Sequence, residues 1–125
     1  MASGVVVAVV GASADRRKFG NKAVRAFVHQ GFDVKPIHPS AKAIEGLPAF
    51  RSVRDVPGRI DLVTLYVPPE VGLSLIEEIA AVGPAELWIN PGAESPALLA
   101  RARALGMEPV LACSVMAIGE RPSAY

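Results

Sequence analysis

Six consecutive apolar residues, Val5 to Val10, stand between Gly4 and Gly11, and five of the six are valine. The run is too short for a helix and carries no polar alternation. It reads as a β-strand buried on both faces. A strand with no solvent-facing side requires cover above and below, and the rest of the chain supplies it. Phe19 to Gln30 follows with apolar residues at Phe19, Ala23, Val24, Phe27 and Val28, a helical spacing, and Gly31 is a natural stop.

The alternation continues. Phe32 to Ile37 reads as a second strand, closed by His38-Pro39-Ser40. Residues 41 to 58 are irregular, with a turn at Ile44 to Pro48 and one helical turn over Ser52 to Val56. Asp61 to Val67 is a third strand, and Pro69 starts a helix that runs up to Gly83, with Gly72, Leu75, Ile76, Ile79 and Ala80 marking one face. Glu86 to Ile89 is a strand and Asn90-Pro91-Gly92 a turn. Glu94 to Leu105 is a helix with Leu98, Leu99, Ala102 and Leu105 inward. Glu108 to Ala112 is the last strand, and Pro109 within it argues for a sheet edge. The tail beyond about residue 117 is expected to be poorly ordered.

This order predicts an α/β fold: one doubly wound parallel sheet with helices on both faces, a Rossmann-type three-layer α/β/α domain over residues 1–125. Its length suits one domain. With 51% hydrophobic and 20% charged residues, the chain has the make-up of a globular core. Thirteen Lys+Arg against 12 Asp+Glu give a net charge of +1, which argues against a general nucleic-acid surface. One cysteine excludes a disulfide framework and a Cys-rich zinc site. No stretch reaches the roughly 20 apolar residues of a membrane span, and no basic region precedes the first apolar run. The expectation is a cytoplasmic domain with no membrane or nucleic-acid partner.

In such folds ligands bind where the strands' C-terminal loops gather. Gly11-Ala12-Ser13 opens the first of these loops. Gly11 allows a tight turn, small Ala12 and Ser13 let backbone N–H groups approach an anion, and Arg16, Arg17 and Lys18 bring three cations. Gly20 would let the helix lie close to the sheet. This predicts a phosphate cradle, although a plain βα turn with a solvated basic patch explains the same residues equally well. The dinucleotide fingerprint is incomplete: Ser13 stands where a second glycine belongs, and His38 where an acidic residue would meet a ribose. No Walker loop is present.

The other loops are candidate walls. Pro39 is rigid enough to pack on a ring, and Lys42 would suit a phosphate. Val67-Pro68-Pro69 is stiff. Asn90-Pro91-Gly92 offers backbone groups, and Ser95 before Pro96 reads as a helix cap. Cys113 lies past the last strand with neither His29 nor His38 evidently placed as its base. The two histidines have no metal-site spacing.

As a set, these segments resemble the CoA-binding domain family, which shares the nucleotide-binding fold of the succinyl-CoA synthetase α-subunit and the NDP-forming acyl-CoA synthetases. The resemblance rests on Val10-Gly11-Ala12-Ser13, Lys18-Phe19-Gly20, His38-Pro39 with Ile44-Glu45-Gly46, Asp61 to Pro69, Trp88 to Ser95, and Cys113 with Met116. The Asn90-Pro91-Gly92-Ala93-Glu94-Ser95 segment is the most specific piece. Many members carry Asn-Pro where this chain has His38-Pro39.

The resemblance implies a site for coenzyme A or an acyl-CoA at the C-terminal edge of the sheet. The Gly11-Ala12-Ser13 turn and Lys18 would hold the ADP phosphates, and Arg17, Phe19 and Gly20 would belong to the same cofactor site. His38 and Pro39 would border the adenosine, with Lys42 near the 3′-phosphate. Val67, Pro68, Pro69, Asn90, Pro91 and Gly92 would line the groove for pantetheine. The ligases' phosphohistidine domain and ATP-grasp partner have no counterpart in these residues, so the expectation is binding without catalysis, with delivery to a protein partner or self-association left open. Two other readings remain: a small nucleotide-cofactor enzyme using Cys113, and an interaction module with a vestigial site.

Overall fold

The computed structural model describes residues 4–125. Strand β1 (Val6–Val10) leads to helix α1 (Phe19–His29), then strand β2 (Asp33–Ile37). A two-residue pair, β3 (Ala43–Ile44) and β4 (Leu47–Pro48), forms a small antiparallel hairpin. One 3-10 turn (Val53–Asp55) precedes β5 (Leu62–Leu65), α2 (Pro69–Val82), β6 (Glu86–Ile89), α3 (Pro96–Ala104), β7 (Val110–Leu111) and the short α4 (Ser114–Ala117). Among the described residues no helix is long and apolar enough to cross a membrane.

The main sheet is parallel, in the order β2-β1-β5-β6-β7. Alternation along β1 sorts its side chains into two layers. Val7 and Val9 pack with Ala23, Val24 and Phe27 of α1 and with Val115 of α4. Ala8 and Val10 pack with Ile76 and Ile79 of α2 and with Leu98 and Ala102 of α3. The doubly wound three-layer architecture expected from the alternation is therefore the fold.

Several local expectations are refined. Phe19 and Val28 share the apolar spacing of α1 yet stand outward, 51% and 47% exposed. The layer on that face is filled by Ala23, Val24, Ala26 and Phe27. The last strand is an edge, as Pro109 implied, but it is only two residues long and begins after the proline, which has no N–H to pair. Ser95 caps α3 by accepting from Leu98 N at 3.1 Å.

The tail lies against the end of α1. Glu120 accepts from the Tyr125 hydroxyl at 2.7 Å and from the Gln30 amide, and faces His29 Nδ1 at 3.0 Å. The hydrogen bond from Tyr125, then those from Gln30 and His29, hold its carboxyl down to about 2. The Arg25 guanidinium lies 5.5 Å from the Tyr125 ring centre.

Candidate functional site

β1 pairs with β2 on one side and β5 on the other. The loops leaving β1 and β5 therefore diverge to opposite faces of the sheet, opening a crevice at the strands' C-terminal ends. Two glycines set how tightly that crevice is built. Gly11 has φ +93°, and a Cβ there would lie 2.9 Å from the Tyr66 carbonyl carbon. A Cβ on Gly20, in the first turn of α1, would lie 2.1 Å from Gly11 O. The loop is thus clamped between the β5 exit and the start of α1, at a separation only hydrogen atoms permit.

Between these glycines three backbone amides are left without acceptors. Among the described residues, the N–H groups of Ala12, Ser13 and Ala14 donate to no protein group. Two of the loop's carbonyls are held by side chains: the fully buried Asn21 donates through Nδ2 to Ser13 O at 2.8 Å, and Arg25 Nη2 donates to Arg16 O at 2.9 Å. Ser13 Oγ accepts from Asp15 N at 3.0 Å, closing a side-chain turn. Free donors beside the N-terminus of α1 are suited to an anion.

The three cations differ in availability. Arg17 is held by Asp15 through two bonds of 3.0 Å, and this pairing holds the Asp15 carboxyl down to about 2. Arg16 faces Glu45 at 3.5 Å. Lys18 occupies the N-cap position of α1 with extended backbone, exposed, and its side chain bonds no group among the described residues.

Two pockets flank the loop and share Val67 as a wall. The larger, about 580 Å³, has an apolar lining that includes Phe19, Tyr66, Pro68, Pro91, Cys113 and Met116, with Asn90 and Gly92 at the same opening. The smaller, about 240 Å³, is bordered by Gly11, His38, Pro39, Val71 and Leu75 and carries Arg51 and Glu78. Of the sequence-selected residues, Phe19, Val67, Pro68, Asn90, Pro91 and Gly92 meet at the first pocket. Gly11, His38, Pro39 and Val67 meet at the second. Ala12, Ser13, Arg17, Lys18 and Gly20 lie along the loop and helix start, and Pro69 and Lys42 line neither pocket.

Two of these side chains do structural work. His38 Nδ1 accepts from Ser40 N at 3.0 Å and Ala41 N at 2.8 Å. This is the geometry of an Asx-turn, so the imidazole performs here what an asparagine side chain does. With Nδ1 accepting, the neutral ring carries its proton on Nε2. Asn90 turns inward: Nδ2 donates to Thr64 Oγ1 at 2.7 Å and Leu65 O at 2.8 Å, and Oδ1 accepts from Ser114 N at 2.8 Å. Thr64 and Ser114 hydroxyls meet at 2.7 Å. This buried network ties β5, β6 and α4 together beneath the larger pocket.

Tyr66 adjoins that network, and burial pushes its phenol far above the usual range. Its hydroxyl makes no well-formed hydrogen bond among the described residues. Tyr66→Phe is therefore expected to leave stability unchanged or raise it by up to about 1 kcal/mol, since it removes a buried polar atom without a firm partner. Chemical denaturation checks this, and a loss above about 1 kcal/mol would reveal a bond to the hydroxyl.

Cys113 is half-buried in the larger pocket. Neither imidazole is hydrogen-bonded to it, because His29 faces Glu120 and His38 closes its own turn. No group of three potential metal ligands occurs among the described residues. Sequence reading missed Asn21, Thr64, Tyr66 and Ser114. Asn21, a polar residue among the apolar positions of α1, was the one visible signal.

Comparison with known proteins agrees with this architecture. A conserved hypothetical protein from Pyrococcus furiosus superimposes with a TM-score of 0.85 at 36% identity, covering 90% of this chain and 98% of that one. An acetyl-coenzyme A synthetase of Ca. Korarchaeum cryptofilum in its apo form matches with a TM-score of 0.73 at 28% identity, over 86% of this chain but 26% of the synthetase. In sequence, 73 residues (57% of the chain) are 36% identical to the α-subunit of ADP-forming acetate–CoA ligase II of Pyrococcus furiosus, of whose length the match spans 16%. The family model described as CoA binding domain matches residues 6–119, from the first strand through α4, and by that match the chain belongs to the CoA binding domain family.

Proposed function

We propose that this domain binds coenzyme A or an acyl-CoA at the C-terminal edge of its sheet and performs no chemistry on it alone. The observation that carries this reading is the run of free amides at Ala12, Ser13 and Ala14, set between two pockets at the point where strand order reverses. A diphosphate bonded there, with Lys18 above it, would send an adenosine toward His38 and Pro39. It would send a pantetheine arm past Val67 and Pro68 into the apolar pocket. That pocket falls within the usual size range of small-molecule sites. Delivery of the bound cofactor to a protein partner is the role this arrangement suits, since the curated relative is a ligase subunit several times longer.

Calorimetric titration with CoA, acetyl-CoA, NAD, NADP and ATP tests the reading. The expected result is selective binding of CoA or acetyl-CoA that weakens with added salt, because part of the attraction is between charges near the surface. Lys18→Glu is expected to lower CoA affinity at least about tenfold, the worth of one charge-assisted bond. Unaltered affinity in that variant would displace the phosphates from this loop, and failure of both CoA ligands to bind would remove the reading.

A further inference from the structure

Glu45 is the one non-glycine residue among the described residues held at positive φ, at +51°, and Gly46 follows at +76°. Two successive residues at positive φ between β3 and β4 are the mark of a type I′ hairpin, whose favoured pair is Asn-Gly. Glutamate is a poor choice for this position, since a side chain with a Cβ is disfavoured in the left-handed region and only Asn or Asp relieves the strain locally. Outliers of this kind are retained where the geometry serves something else.

The carboxylate has an evident use. Glu45 Oε2 accepts from Asn21 Nδ2 at 3.0 Å and lies 3.5 Å from Arg16 Nε. Asn21 also holds Ser13 O, and its Oδ1 accepts from Arg25 Nε at 2.7 Å. Arg25 in turn holds Arg16 O. All loop carbonyls with side-chain partners are thus held from the α1 side, and Glu45 fixes the rotamer of the central asparagine. As an ion pair the contact with Arg16, 65% exposed, is worth little. What it contributes is placement, because it holds one cation at the loop and keeps the asparagine turned inward.

We propose that Glu45 is a positioning residue for the anion loop: the β3–β4 hairpin accepts a strained conformation so that this carboxylate can brace Asn21 and Arg16 and leave the Ala12 to Ala14 amides free for phosphate. The proposal rests on the CoA reading above. It explains why a two-residue hairpin, too small to be stable by itself, is packed against α1 through Ile44.

The test is Glu45→Asn, compared with Glu45→Gln and the unaltered protein. Asparagine supplies the preferred turn pair but is shorter and uncharged. The expected result is a thermal midpoint equal to or above that of the unaltered protein, together with about tenfold weaker binding of CoA and of ADP. Pantetheine, which does not touch the loop, keeps its affinity. Glu45→Gln retains length and an acceptor for Asn21, so most of the affinity returns. Undiminished CoA binding by Glu45→Asn overturns the proposal, and so does a lowered midpoint, which would make the carboxylate a brace of the fold. If the unaltered protein binds no CoA, the CoA reading falls first and this one with it. Binding by the unaltered protein with no difference among variants sinks only the role of Glu45.

Discussion

Gly20→Ala is expected to lower the thermal midpoint by roughly 10 °C, corresponding to about 2–3 kcal/mol in a domain of this size. Two effects oppose each other. Alanine is a better helix former than glycine by about 1 kcal/mol, so at an ordinary helical position the change would stabilise. Here the new methyl would lie 2.1 Å from Gly11 O, a backbone atom that no rotamer change can move. Either α1 shifts away from the sheet or the loop is pushed toward Tyr66, where Gly11 already has no free space. The steric cost wins. The same displacement would disturb the free amides of Ala12 to Ala14, so CoA binding should fall below detection. Gly72→Ala is the internal control: its methyl would meet side-chain ends alone, Leu98 at 3.2 Å and Val67 Cγ2 at an ordinary 3.7 Å, and should change stability little. A Gly20→Ala protein with an unshifted midpoint would show that the loop is not clamped.

Asn90→Leu is expected to cost about 3 kcal/mol or more, measured by urea unfolding. The substitution is close in size but leaves the buried Ser114 amide without a partner, and it takes one bond each from the buried Thr64 hydroxyl, which keeps Ser114 Oγ, and the Leu65 carbonyl, which keeps the Asn90 N–H, each lost bond adding about 1 kcal/mol. Each buried group left without a partner costs about 1–3 kcal/mol. Against a total stability of about 5–15 kcal/mol that is a large share. Thr64→Val alone should cost less, because Asn90 keeps its other two bonds, and the double variant should lose less than the sum of the two. A loss under 1 kcal/mol for Asn90→Leu would mean the network is not cooperative. The expected effect on CoA is indirect, through the loop Pro91 to Ala93 that Asn90 anchors.

The contrast between these two residues shows what local sequence carries. Val5 to Val10, Gly83 after α2, and Ser95 before Pro96 announce their structures because the deciding forces act within a few residues: side-chain burial on a short strand, a left-handed helix cap at φ +63°, a side-chain cap on Leu98 N. Edge placement of the last strand was legible for the same reason, since a proline lacks an N–H wherever the chain folds. Phe19 and Val28 misled because periodicity gives the angular position of a residue on a helix but not the width of the surface the helix covers. The buried part of α1 is narrower than its apolar stripe.

Asn90 was selected as a wall of the ligand groove, which its neighbours Pro91 and Gly92 also line, but nothing local says its amide turns inward to Thr64 and Ser114. Those partners are 26 and 24 residues away. Likewise Asn21 and Glu45 are 24 residues apart and meet only because the β3–β4 hairpin folds back over α1. The tail shows the same limit, since Glu120 finds His29 and Gln30 across 91 and 90 residues.

From the chain alone, alternation of strand and helix, and with it the parallel three-layer class, was already determined, because apolar periodicity and glycine or proline punctuation act at short range. Gly11, Gly20 and the loop between them were visible as small residues at a strand exit. The tertiary structure alone decided which backbone groups that loop leaves free, which cations stay available, and how two pockets come to share Val67. Those outcomes depend on packing distances and hydrogen bonds between segments far apart in sequence, where a shift of an ångström decides whether a donor faces a carbonyl or an open site.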